Sequence, residues 1–134
     1  MKKLRKTASQ SLKPAPGDDD LKKLLKDRYN TALQGLQAGI EECEQGRHHV
    51  SAMLPHVLKV RDSWVELNPN PADQIAIREL YFEVAKAGHE MVEGQFRSGT
   101  IGAADVAAAR YTRIDAEIQL LLAKRKAKAQ PRSP

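Results

Sequence analysis

Residues 91–122, MVEGQFRSGTIGAADVAAARYTRIDAEIQLLL, decide the fold of this chain. Gly99 and Gly102 separate two apolar patterns, each with helical spacing. Glycine reaches φ > 0 at little cost and so ends helices. The stretch therefore predicts a helix ending, a tight break and a second helix turning back. Before the break, Ile77, Leu80 or Tyr81, Val84, Met91 and Phe96 mark the buried side of a helix over 72–97, with Gly88 and Gly94 as thin spots. After it, Ala107, Tyr111, Ile114, Ile118 and Leu121 recur at spacings of four and three on a helix over 103–126. That spacing predicts a second buried seam. Asp105 falls near the start of the returning helix, where an acid faces the positive end of the dipole. A structural role explains its position.

The first half reads as a second hairpin. Asp18, Asp19 and Asp20 precede LKKLL and predict helix capping rather than a metal site, because a Ca²⁺ loop needs more oxygen ligands and a placed glycine. A helix over 21–45 follows, with Leu21, Leu25, Tyr29, Ala32/Leu33, Leu36, Ile40 and Cys43 on one stripe. Gly35 and Gly39 weaken that helix but can admit a close neighbour. Gly46 ends it. Val50, Met53, Val57, Val60, Trp64 and Leu67 make a heptad-like seam on a helix over 50–67. Ser51 as N-cap would put Pro55 near the first turn; a kink is the alternative. Asn68-Pro69-Asn70-Pro71 is a stop signal, with Asn70 the expected cap and Pro71 the first residue of the next helix. Short connections predict antiparallel neighbours.

A shift of 53 residues lays Gly46 on Gly99, Ala32 on Ala85, Met53 on Val106, Val57 on Arg110 and Asp62 on Asp115. Duplication and chance similarity of two amphipathic hairpins both account for this partial match.

Phe96, Gly99, Asp105-Val106 and Ala116-Glu117 follow the spacing of an aromatic, a glycine, an Asp-Val pair and an Ala-Glu pair about ten residues on. In this the second hairpin resembles the signature of the TolC family of outer-membrane efflux proteins. It is also similar to bacterial proteins that carry such paired hairpins alone. The resemblance covers about a third of the chain well and two-thirds loosely, the first half matching only through Gly46 and Met53. It implies that Phe96, Gly99 and Asp105 sit at a hairpin tip, which in the family meets an adaptor protein. The chain lacks the alternating strands of a membrane barrel, and its helices are shorter than a tunnel requires.

With 41% hydrophobic but only 4% aromatic residues, the core must be built from aliphatic side chains and alanine, which suits thin helical bundles. No apolar run approaches the roughly 20 residues needed to span a bilayer. The basic N-terminus is not followed by the apolar region of a signal peptide, so a cytoplasmic location is expected, a truncated precursor being the alternative. Cys43 is the only cysteine, so no disulfide forms within one chain.

Net charge is +5, and its distribution is uneven. Lys2, Lys3, Arg5 and Lys6 crowd one end; Lys124, Arg125, Lys126, Lys128 and Arg132 crowd the other. Neither short segment carries an acid, and the body between them is mildly acidic. Residues 1–17 and 127–134 read as disordered basic tails around a helical domain over 18–126, itself two hairpins, 18–67 and 71–126. The basic ends are the candidate polyanion contacts, nonspecific because no aromatics interleave them.

Chemistry is harder to find. Cys43, His48, His49 and His56 lie close in sequence, with His89 apart, but their spacing suits solvated loop histidines better than a metal site. No phosphate loop or nucleophile elbow is present, and a thin bundle promises little pocket volume. The sequence thus predicts an all-α protein of up-down hairpins, in the arrangement of a four-helix bundle. It predicts no catalytic, metal or cofactor residues. The expected role is a scaffold or interaction module that binds a protein or a second copy through helical faces. The alternatives are a nucleic-acid-associated protein and an efflux-related hairpin protein.

Overall fold

The computed structural model describes residues 1–130. The described residues fold as two compact units, residues 1–69 and residues 70–130. Its helices are α1 (Lys2–Ala8), α2 (Asp20–Glu44), α3 (Leu54–Leu67), α4 (Pro71–Arg97) and α5 (Ala103–Ala129), with a 3₁₀ turn at Val50–Met53. No strand occurs among the described residues, so the fold is all-α as the sequence predicts.

In the first unit α2 and α3 run antiparallel. Asp19 caps α2, its carboxylate accepting the Lys22 N–H at 2.8 Å. Gly46 ends the helix in the left-handed region, φ 74°. Its N–H donates to the Cys43 carbonyl and the Arg47 N–H to that of Glu42, both at 3.0 Å. This pair of bonds satisfies carbonyls the helix end would leave bare. α3 then packs closely on α2 through the two glycines. A Cβ on Gly39 would lie 2.7 Å from Met53 Cε, and one on Gly35 would lie 3.3 Å from His56 Nδ1. Leu33, Leu36, Ile40, Met53, Val57 and Val60 are buried, and Tyr29 meets the Trp64 ring at 5.2 Å.

Two expectations fail here. Residues 1–17, read as disordered, carry α1 and a hydrogen-bonded return to α2. Leu4 is only 2% exposed. The Asn30 side chain exchanges two bonds of 2.8 Å with the Leu12 backbone, and Arg5 pairs with Glu44. One buried leucine and a few polar anchors order a segment whose composition alone is that of a tail. The second failure concerns Ser51. His49 caps the 3₁₀ turn instead, its Nδ1 accepting the Ser51 N–H at 3.1 Å, and Pro55 is the second residue of α3.

The second unit is the hairpin of α4 and α5. Asn70 caps α4 as expected, accepting the Ala72 N–H at 3.1 Å, with Pro71 first in the helix. Gly99 has φ 79° and repeats the bonding at Gly46. Its N–H donates to the Phe96 carbonyl and Thr100 N–H to that of Gln95, both at 3.0 Å. The helices are antiparallel: Arg113 reaches His89, and further along Lys124 reaches back to Glu79. Ile77, Leu80, Tyr81, Val84 and Ala85 are buried on α4.

On α5 the predicted seam is on the wrong face. The buried residues are Ala116, Leu120 and Ala123, not Tyr111, Ile114, Ile118 and Leu121. At 100° per residue the two sets lie roughly 170° apart around the helix. Small alanines let α5 approach its neighbour, and a helix packed through one face leaves the other outside. Leu21 and Phe96, also expected inside, are exposed at helix ends. α5 runs past the predicted limit of Lys126 to Ala129; residues 131–134 of the expected tail, Arg132 included, lie outside the described residues.

The shared turn bonding supports the 53-residue correspondence at the hairpin tips only. Val57 and Val60 are fully buried on α3, whereas their counterparts Arg110 and Arg113 are polar.

Candidate functional site

The outer face of α5 is the most distinctive surface of the second unit. Tyr111 is 74% exposed, Ile114 44%, Ile118 47% and Leu121 47%, and Leu122 beside them is also exposed. These side chains share one stripe because they recur at the helical interval. Isolated exposed hydrophobics need no explanation, but a contiguous row marks an interaction surface. The stripe runs into Lys124, Arg125, Lys126 and Lys128 on the last turns of α5. There an open groove of ≈ 630 Å³ has Ile75, Leu121 and Ala127 in its lining, with Lys124, Arg125 and Lys128 among them.

At the hairpin tip, the Asp105 carboxylate accepts the Gly102 N–H at 3.3 Å, and Asp105 N–H donates to the Gly102 carbonyl at 3.2 Å. This satisfies donors at the start of α5 and accounts for the acid structurally. Phe96 stands exposed on the last turn of α4, and its carbonyl accepts the Gly99 N–H at the turn that leads to Asp105. Gly46 forms the corresponding turn of the first unit.

The basic N-terminal residues Lys2, Lys3, Arg5 and Lys6 lie on α1, and the Arg5–Glu44 pair neutralises part of that charge. In the C-terminal cluster on α5, Lys124 lies 3.6 Å from Glu79.

The histidines separate. His48 faces Glu42 at 3.5 Å, His49 caps the 3₁₀ turn, and His56 rests over Gly35 and Gly39. His89 is not a loop histidine. It is 6% exposed, its Nδ1 accepting from Arg113 at 3.2 Å. Its Nε2 lies 3.0 Å from Glu93 Oε1 but off the line of a hydrogen bond, so this is a close polar contact rather than a bond. Among the described residues no three His, Cys, Asp or Glu side chains converge on a metal position.

Cys43 is partly buried, with Sγ 3.5 Å from the His49 carbonyl. Burial pushes its thiol above the ordinary range, and Glu42 and Glu44 add to the shift. A reactive cysteine requires the opposite shift. Contrary to the expectation of little pocket volume, a second open groove of ≈ 620 Å³ lies between α2 and α3, lined by Arg28, Gly35, His56, Lys59 and Ser63 among others. The glycine in its wall leaves room that a side chain there would fill.

Comparison with family models, curated proteins and solved structures finds no match. Among the described residues no helix is long and apolar enough to cross a membrane.

Proposed function

We propose that the protein is a non-catalytic helical interaction module that works through the outer face of α5. The observation that carries this reading is the exposed row Tyr111, Ile114, Ile118 and Leu121. Burying such a row against another apolar helix yields about 25 cal/mol per Å² of apolar area removed from water. A helix in groove or helix on helix contact reads anchors at this spacing. In-cell photocrosslinking tests it. Benzoylphenylalanine at position 118 should give a covalent protein adduct, and the same probe at exposed Gln34 on α2 should not. Equal labelling at both positions, or none at 118, sinks the reading.

A second reading draws on Lys124, Arg125, Lys126 and Lys128 at the end of α5. Clustered cations bind nucleic-acid phosphates nonspecifically and with steep salt dependence. Fluorescence anisotropy with a labelled duplex should then show affinity that collapses between low and physiological salt, and alanine at the four positions should remove it. The likeness to outer-membrane efflux proteins supports a third role, with Phe96 at the tip meeting an envelope partner. It requires copurification with an envelope complex, and recovery in the cytoplasmic fraction alone would exclude it.

A further inference from the structure

We infer that the occupant of the α5 face is a second copy of the same helix, lying parallel to the first. This rests on the interaction-module reading and adds the partner and its orientation. Tyr111, Ile114, Ile118 and Leu121 fall at the a, d, a and d positions of a heptad. All four are exposed along one side of α5, and Ala116, Leu120 and Ala123 are turned to the buried side. The second a and d positions, Ile118 and Leu121, are the pairing that favours two strands.

The flanking charges choose the orientation. The g positions are Arg110, Glu117 and Lys124; the e positions are Ala108, Asp115 and Leu122. In a parallel pair each Arg110 meets the other copy's Asp115, while Glu117 and Lys124 meet uncharged residues. In the antiparallel pair that keeps the four apolar layers, Asp115 meets Asp115, Glu117 meets Glu117, and Arg110 meets Lys124. Like charges across such a seam disfavour that arrangement. The parallel seam ends where Arg125 and Lys128 would enter the next a and d positions. There two pairs of cations face each other, a repulsion that limits the seam to these four layers and that salt screens.

Sedimentation equilibrium on the full chain is the first test. A 14.9 kDa chain should give twice that mass at micromolar concentration, and Ile118→Glu should return it to monomer with helical circular dichroism intact. Arg110→Asp should weaken the dimer about tenfold, and Arg110→Asp with Asp115→Arg should restore it. In a Cys43→Ser background, oxidised Ile118→Cys should form a disulfide-linked dimer by itself. A chain that stays monomeric, a dimer indifferent to Ile118→Glu, or failure of the charge swap to restore affinity overturns the proposal. So does a disulfide that forms only when Ile114→Cys and Ile118→Cys chains are mixed, because that marks the antiparallel pair. A monomer whose position 118 still crosslinks to a different protein would overturn this inference and leave the interaction-module reading standing.

Discussion

The two hairpins end their first helix with the same backbone bonds and then use their faces differently. In the first unit a third element, α1, returns to α2 and Leu4 is buried; in the second, α5 keeps a full apolar row outside. The first unit gains its close approach by glycine, with Met53 and His56 seated over Gly39 and Gly35. On α5 the residues turned inward are mostly alanines, with Leu120 the one large side chain among the buried set. The difference teaches that two helices with matching turns need not share a buried face. What each hairpin covers depends on where its small residues lie and on what other chain returns to it.

The sharpest way to break this contrast is to truncate one large side chain on each side of it. Leu36→Ala, at a fully buried position of α2, should cost about 3 kcal/mol in chemical denaturation. Tyr111→Ala should shift the monomer by less than about 0.5 kcal/mol. Comparable losses would mean that the α5 face is covered within the chain. Next comes the glycine seat. Gly39→Val drives branched carbons into Met53 and should cost about 2 kcal/mol, the usual range for overpacking. An unchanged melting temperature would show that α3 does not depend on that approach.

The turns should behave alike. Gly46→Ala and Gly99→Ala each force a side chain into the left-handed region and should each lose about 1 kcal/mol. Neither meets a neighbouring atom, so unequal losses would show that the two turns differ beyond their bonding. The smallest effect belongs to Asp18, whose carboxyl is held below its ordinary value of 3.8, first by the Lys26 hydrogen bond and then by that from the Ala15 N–H. A lowered folded-state value stabilises the fold above 3.8, and that contribution disappears as pH falls through the lower value. Wild type should therefore exceed Asp18→Asn in stability at neutral pH, with the two converging in strong acid. A gap that persists undiminished at low pH would assign the difference to something other than the carboxylate charge.

Much of the architecture was legible because it is local. Asn70 and Pro71 start α4, Asp19 starts α2, and Gly46 and Gly99 end helices, each through bonds reaching only a few residues. The bonds that tie Gly99 to Phe96 and Gly102 to Asp105 are local in the same way. α1 escapes a sequence reading because one buried leucine leaves no periodic signal among lysines. His89 escapes it because its partner Arg113 lies 24 residues away on another helix. A histidine flanked by Gly88 and a glutamate gives no sign of that meeting.

The face of α5 marks the boundary between the two kinds of information. The chain alone determined that a helix begins at residue 103, that the break before it is tight, and that both ends of the molecule are basic. It could not choose between Tyr111–Ile114–Ile118–Leu121 and Ala116–Leu120–Ala123, since both stripes obey helical spacing. Burial of apolar area favours the first stripe, whose side chains are larger. Close packing favours the second, because alanines let two backbones approach and the larger side chains would hold them apart. That contest is decided only when a particular neighbour is in place, and its outcome leaves the larger residues exposed.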